Sequence, residues 1–336
     1  METYPAIYDI SLEAFPRLEG ENDDAPRIQR GIDSCPPGGV LLIPRGRYSI
    51  ASPLLISNFC SLSMHKSAVL QAVRPMDFIL TYNGGDQYTN LEVFDPDGRL
   101  FDDLNLFIIG GELDGNGLAS CLSVSNYHHF TLKDSTLRNG KQYGLKVGSF
   151  GHGYELIASN LYCKCNLPGL KGNVGISSNE GDSHYTDCIV VDYTVGMEML
   201  GGGSNRLTRC HVWGGIVPPA HSGRVPAMLE DSINFKICSG DTLLRDCYAD
   251  TGATGFYIAA DARLCGCTYY NNFRFGLDNV VIFRHLKGSL LISEGRFTQT
   301  SPHASLYQQE GNAQNLSVVW SNNQLCGKDL SLPDPQ

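Results

Sequence analysis

Three carboxylates in this sequence are placed to do chemistry. Glu198 lies in the run VGMEML, and Glu230 and Asp231 stand just ahead of the run INFKI. Cleavage of a glycosidic bond takes two carboxyl groups flanking it, about 5 Å apart for retention of configuration and about 6.5–9.5 Å for inversion. If the two runs are neighbouring strands, one strand step brings Glu198 within that range of Asp231 or Glu230, and Glu198 with Asp231 is the leading pair. The same three charges also read as one solvated strand residue and two turn residues. Removal of a proton beside a uronate instead needs a base titrating near neutrality or above, and a cation to neutralise the carboxylate. Tyr257, Lys236, Lys146 and His221 are of those types, although Tyr257 also reads as a stacking surface for a sugar ring and the lysines as solubilising charges.

The elements that must position these groups are announced by a repeat. Cysteine-centred runs return along the chain at NLYCKC, YTDCIVV, LTRCHVW, LLRDCYAD and LCGCTYY. From Cys163 through Cys188, Cys210 and Cys247 to Cys267 the steps are 25, 22, 37 and 20 residues. The long step fits an insertion of about 14 residues, Gly214 to Ala227, in GGIVPPAHSGRVP. Repeats of this length, built from short strand-like runs, describe a solenoid in which no single coil buries its own apolar side. The insertion carries His221 and Arg224 and would overhang one face, and Trp213 beside it would stack on a sugar or pin the loop.

A second register follows each cysteine run: GLKV, VGIS, MEML, INFKI, GFYI, GLDN and SLYQ. Alternation sends one set of side chains inward and the next outward. Leu145, Val147, Met197, Met199, Ile233, Phe235, Phe256 and Ile258 are expected inside. Lys146, Ser177, Glu198, Asn234 with Lys236, Tyr257, Asp278 and Tyr307 are expected to form an outward column at about 4.8 Å per coil. Asp278, three coils from Glu198, reads as a substrate contact or a turn residue.

Composition narrows the partners. A net charge of -10, with 25 Lys and Arg in no run, argues against nucleic acid. It tilts more weakly against a strongly anionic polymer, since Lys146, Lys236, Arg224 and Arg284 would suffice for a local basic cleft. No segment has the length of a membrane span, and the opening METYPAIYDISLEAF shows no secretory signal, so a cytoplasmic location is expected. The 12 cysteines then read as small apolar fillers in a reduced core. CKC and CGC lack the spacing of a zinc site, and no metal or other cofactor is expected. Asn179, Glu180, Asp182 and His184 in SSNEGDSHY have donors for calcium or a sugar, and equally the composition of a turn.

Upstream, DDAPRIQRGIDSCPPGGVLLIPRGRYSI reads as a short helix with Ile28 and Ile32 on one face, a Pro/Gly turn and two strands. This segment resembles the opening of the pectin-lyase-like superfamily of right-handed β-helices, and FIIGGELDGNG and FTLKDSTLRNGKQYGLKV resemble its first full coils. The resemblance, of the polygalacturonase, pectate lyase and tailspike type, covers nearly the whole chain. It implies a sugar-binding groove beside one strand face, while the superfamily's activities range over lyases, hydrolases, epimerases, transferases and tailspikes. The polygalacturonase signatures are echoed only by LEDSINF, and the calcium-binding pectate lyase pattern is not found.

The expected architecture is therefore all-β, a single-stranded right-handed parallel β-helix with an N-terminal segment and capping helix at 1–60, the solenoid at 61–325 and a tail at 326–336. The expected function is glycoside hydrolysis or transfer on an oligosaccharide, with Glu198, Asp231 and Glu230 catalytic and Lys146, Asn234, Lys236, Tyr257, His221, Arg224, Trp213 and Asp278 binding. A uronide lyase or epimerase and a noncatalytic tailspike-like sugar binder are the alternatives, and a homotrimer is the assembly the resemblance implies.

Overall fold

The computed structural model describes residues 9–84, 106–149, 153–167, 170–217, 227–271, 279–298, 301, 303–310 and 316–326. The fold is a right-handed parallel β-helix whose strands form three long parallel sheets. The chain divides into two compact units, residues 1–162 and 163–336.

The first unit begins with a cap. The helix Ala25–Asp33 buries Ala25, Ile28, Gly31 and Ile32, the face expected from the sequence. The acidic pair before it is a hydrogen-bonding hub. Asp23 accepts from the N–H groups of Ala25 and Ala51, tying the helix start to the chain beyond the Gly46–Ile50 strand. Asp24, 2% exposed, accepts from Arg17 Nε and Nη2, from Arg27 Nε and from the Ser49 N–H. Burial pushes its carboxyl upward, but the Arg17 and Ser49 hydrogen bonds and the Arg27 charge outweigh that and hold it below the usual carboxylate range.

Each coil of this unit contributes to three sheets, here numbered 1 to 3 in chain order. In sheet 3 the strands Leu54–Ile56, Phe78–Asn83, Ser120–Ser125 and Tyr143–Val147 stack in parallel, with Leu80, Leu122 and Leu145 in register and fully buried.

In the second unit sheet 1 contains His184–Thr186, Arg206–Thr208, Thr242–Arg245, Ala262–Cys265, Gly288–Ser293 and Leu316–Ser321. Sheet 2 contains Ile189–Tyr193, His211–Gly214, Tyr248–Asp250, Thr268–Tyr270, Arg296–Thr298 and Gln324–Cys326. Sheet 3 contains Val174–Ser178, Val195–Met199, Ile233–Ile237, Thr254–Ile258, Asn279–His285 and His303–Gln309. Its inward row runs Ile176, Met197, Phe235, Phe256, Phe283. The three phenylalanine rings stack at 5.5 and 5.2 Å between centroids.

The cysteine repeat marks the corner between sheets 1 and 2. Asp187, Arg209, Asp246 and Gly266 each take a left-handed conformation there, with φ of 55°, 52°, 52° and 67°. Such a residue turns the chain sharply, and the next one, Cys188, Cys210, Cys247 or Cys267, points into the core with no exposure. The thiols of Cys210, Cys247 and Cys267 approach the carbonyls of Tyr185, Leu207 and Leu244 on the preceding coil at 3.4–3.5 Å. Ser135 of the first unit follows left-handed Asp134 and makes the same bond to Gly110 O at 2.8 Å. All twelve cysteines are free thiols.

The insertion is present. Ile216–Val217 pairs with Ala227–Met228 as an antiparallel ribbon, against the parallel pairing of the sheets around it, and residues 218–226 lie outside the described residues. Two expectations for side-chain direction are corrected. Ile233 is half-exposed, because it stands at the strand's start beside an exposed turn. Tyr307 pairs with Phe283 and turns its hydroxyl onto buried His285 Nδ1 at 2.8 Å, so it belongs to the row of the core phenylalanines.

Candidate functional site

Register assembles one outward column in sheet 3 of the second unit. Ser177 pairs with Glu198, Glu198 with Lys236, Lys236 with Tyr257, Tyr257 with Arg284 and Arg284 with Gln308. Each step is one strand spacing, about 4.8 Å. In-register parallel strands put like positions side by side, so every coil adds one side chain to the row.

The interactions along the row are specific. Ser177 Oγ donates to Glu198 Oε1 at 2.7 Å, and Lys236 Nζ donates to Glu198 Oε2 at 3.3 Å. The Glu198 side chain is only 7% exposed, whereas Lys236 is 31% exposed. Glu198 is thus an anchored carboxylate that fixes the Lys236 ammonium toward the open part of the face. Beyond it the Tyr257 ring lies between Lys236 and Arg284. Burial pushes the Tyr257 phenol upward, aided by Cys238 and Glu310, while Lys236 and Arg284 pull it down, and the net direction is up. Arg284 Nη1 meets Glu310 Oε1 at 3.3 Å.

The structure therefore brings together Glu198, Lys236 and Tyr257 from the sequence-derived set. Glu230 and Asp231 are exposed in the turn before Ile233–Ile237, where Ser232 bonds back to Leu229 O. Ile233 alone is three residues, about 10 Å, short of the Lys236 level. Asn234 is a correction. It was expected to face outward, but its side chain is fully buried and its amide donates to Val212 O at 3.0 Å and Asp250 O at 3.2 Å. The reason lies in the corner. At the equivalent positions a Cβ on Gly196 or Gly255 would strike Val212 or Tyr269, whereas the coil of Asn234 has Ala249 in that place and leaves room for an amide.

Lys146 belongs to the first unit, where it pairs with Ser123 and lies 5.0 Å over the Tyr143 ring. Trp213 projects from the outward face of sheet 2 instead of sheet 3. His221, Arg224 and Asp278 lie outside the described residues. In the SSNEGDSHY turn Asp182 takes φ 51° and Glu180 is buried, which is turn geometry. Among the described residues no group of three His, Cys, Asp or Glu side chains is arranged to hold a metal ion, and no helix is long and apolar enough to cross a membrane.

Arg284 and Gln308 were not assigned these places from sequence, and Ser177 was placed in the column without its bond to Glu198. A signal for Arg284 exists in VVIFRH, where it follows Phe283 as Lys236 follows Phe235.

No protein-family profile matches the chain, and no curated protein matches it either. Solved structures do. The ORF18 protein of Geobacillus virus E2 superposes with a TM-score of 0.65 at 16% identity, covering 95% of this chain and 61% of its own, so the present chain spans under two thirds of that protein. The A-module of the Azotobacter vinelandii mannuronan C-5 epimerase AlgE4 gives 0.63 at 13% identity over 98% of this chain and 99% of the module. An alginate lyase from Paenibacillus sp. FPU-7 gives 0.60 at 12% identity over 86% and 97%. At these identities the likeness is one of fold, a parallel β-helix.

Proposed function

We propose that the second unit acts on an acidic, uronate-bearing saccharide, by proton abstraction at the carbon next to the sugar carboxylate. The observation that carries this reading is the register row Lys236, Tyr257, Arg284, a phenol between two cations on one exposed sheet face. The guanidinium of Arg284 and the ammonium of Lys236, held by Glu198, would take the uronate carboxylate and stabilise the charge that develops on it. Tyr257 as phenolate would take the C5 proton. The electron pair forms the C4–C5 double bond, the C4–oxygen bond breaks, and the new phenol proton goes to the leaving oxygen. Delivery of a proton from water to C5 on the opposite face, with the Tyr257 proton released to solvent, would give epimerisation in place of elimination. An epimerase of mannuronan and a lyase of alginate among the similar folds support this chemistry as analogy.

The hydrolytic reading keeps Glu198 with Asp231 or Glu230, whose exposed turn leads into the strand that carries Lys236. It asks the turn to reach Glu198 once a sugar is bound. One assay separates the readings: the chain is incubated with oligomers of mannuronate, guluronate and galacturonate and with neutral oligosaccharides, and reducing ends and ultraviolet-absorbing unsaturated products are followed together. Unsaturated product lost in Tyr257→Phe supports elimination. Reducing ends without it, lost in Glu198→Gln and Asp231→Asn, support hydrolysis. An altered uronate epimer by proton NMR, lost in Tyr257→Phe, supports epimerisation, and binding with no product and no change of epimer is the outcome of a noncatalytic sugar-binding protein.

A further inference from the structure

We infer that the outward face of sheet 2 in the second unit is a second saccharide site, built on Trp213, Asp250 and Tyr270 and suited to an uncharged sugar chain. Trp213 pairs with Asp250 and Asp250 with Tyr270, so the three form one outward row with an aromatic ring on each side of a carboxylate. The rings stand two strand spacings apart, about 9.6 Å. Tyr270 is 38% exposed and Trp213 half-buried.

Around Asp250 the polar groups converge. His211 and Tyr248, from the neighbouring row, stack at 4.6 Å with planes 11° apart. His211 Nε2 is 3.5 Å from Asp250 Oδ2, and Thr251 Oγ1 donates to Asp250 Oδ1 at 2.6 Å. The Asp250 side chain is 10% exposed. A carboxylate on the outside of a solenoid normally turns to water; here it is drawn down among aromatic rings on a face that needs no buried charge.

Aromatic faces take the C–H side of a pyranose, while a carboxylate and an imidazole nearby bond its hydroxyls. The charge of the face selects the kind of sugar. Among the described residues Asp250 has His211 as its only ion-pair partner, and Arg296, the cation of the neighbouring row, stands two coils from it, so an anionic sugar is disfavoured at Asp250. Sheet 3 differs in presenting two cations, Lys236 paired with Glu198 and Arg284 paired with Glu310. These arguments stand whichever activity sheet 3 has.

The test is titration calorimetry of the full chain with cellohexaose, mannohexaose, maltohexaose and chitohexaose, and with an oligogalacturonate as the acidic comparison. At least one neutral oligomer is expected to bind, with affinity reduced about tenfold or more in Trp213→Ala, Tyr270→Ala and Asp250→Asn and unchanged in Lys236→Ala and Arg284→Ala. If circular dichroism shows that Trp213→Ala is misfolded, the exposed Tyr270→Ala carries the test. Absence of binding to every neutral oligomer, or binding that survives Tyr270→Ala and Asp250→Asn, would overturn the proposal. Binding of the acidic oligomer alone, lost in Arg284→Ala, would overturn it too while leaving the reading of sheet 3 intact.

Discussion

Ser177 and Glu198 face each other across adjacent coils of sheet 3, and the serine hydroxyl donates to the glutamate carboxylate at 2.7 Å from the side opposite Lys236. A carboxylate so enclosed positions its neighbour. Removing Ser177 leaves one Glu198 oxygen without its donor, and Ser177→Ala should cost about 1–3 kcal/mol. Glu198→Gln keeps an acceptor for Ser177 but releases Lys236, so a double-mutant cycle of Glu198→Gln with Lys236→Ala in urea should show coupling of at least about 0.5 kcal/mol.

Asp24 ties Arg17, Arg27 and the Ser49 N–H to the cap, and its pKa is held below the usual carboxylate range. A depressed carboxyl stabilises the fold fully above the unfolded value, about 3.9, and loses that contribution as pH falls through the lower folded value. Asp24→Asn should lower the stability of the first unit by about 1.5–3 kcal/mol at neutral pH. The gap to the parent protein should narrow below about pH 4, as followed by circular dichroism in denaturant.

His285 is fully buried, with Nε2 3.0 Å from Gly288 O and Nδ1 2.8 Å from the Tyr307 hydroxyl. The carbonyl requires a proton on Nε2, which leaves neutral Nδ1 to accept from Tyr307. Burial, opposed by the Gly288 and Lys287 backbone contacts, lowers the pKa. The unfolded chain then binds the proton first, so stability falls as pH drops below about 6.5 and levels off below the folded value. Urea midpoints should fall more between pH 7.5 and 5.5 for the parent protein than for His285→Asn, to about the extent of a one-group linkage.

Nine cysteines are buried, and Cys238, Cys265 and Cys326 are partly exposed. Burial pushes the Cys163 and Cys247 thiols well up, away from the reactive thiolate. Alkylation of the native protein followed by mass spectrometry should mark Cys238, Cys265 and Cys326 first. Cys188, Cys210, Cys247 and Cys267 should be labelled only on unfolding. Cys247→Ser should fold, since Ser135 already fills the same corner, whereas Cys247→Leu should overpack it by about 1–3 kcal/mol.

The coil repeat was legible because the corner chemistry repeats: a left-handed residue followed by a small inward one recurs at Asp187–Cys188, Arg209–Cys210 and Asp246–Cys247. The outward row was legible where strands begin alike, as for Glu198, Lys236 and Tyr257. It failed where a strand's start was misplaced. The register gives Arg284 the place beside Tyr257 that the sequence reading gave to Asp278, a residue outside the described ones. In the last coil a one-residue slip exchanged Tyr307 for Gln308, since the side-chain period is two. Asn234 was misread because alternation treats a corner as a straight strand; the glycines at 175, 196 and 255 in the same row were the available sign that this position faces inward. Sequence periodicity also gave no hint that Asp250 meets His211, a contact made diagonally between coils.

The central claim is that Tyr257, between Lys236 and Arg284, is the proton-transferring group of sheet 3. The direct measurement is the pH dependence of kcat/KM on a uronate oligomer that the protein cleaves or epimerises, for the parent, Tyr257→Phe and Arg284→Lys. A phenol raised by burial predicts activity still climbing near pH 10, at least about 100-fold lower in Tyr257→Phe, with Arg284→Lys lowered in kcat as well as in kcat/KM. Unchanged activity and pH profile in Tyr257→Phe would contradict the claim and move the chemistry to the carboxylates Glu198, Asp231 and Glu230.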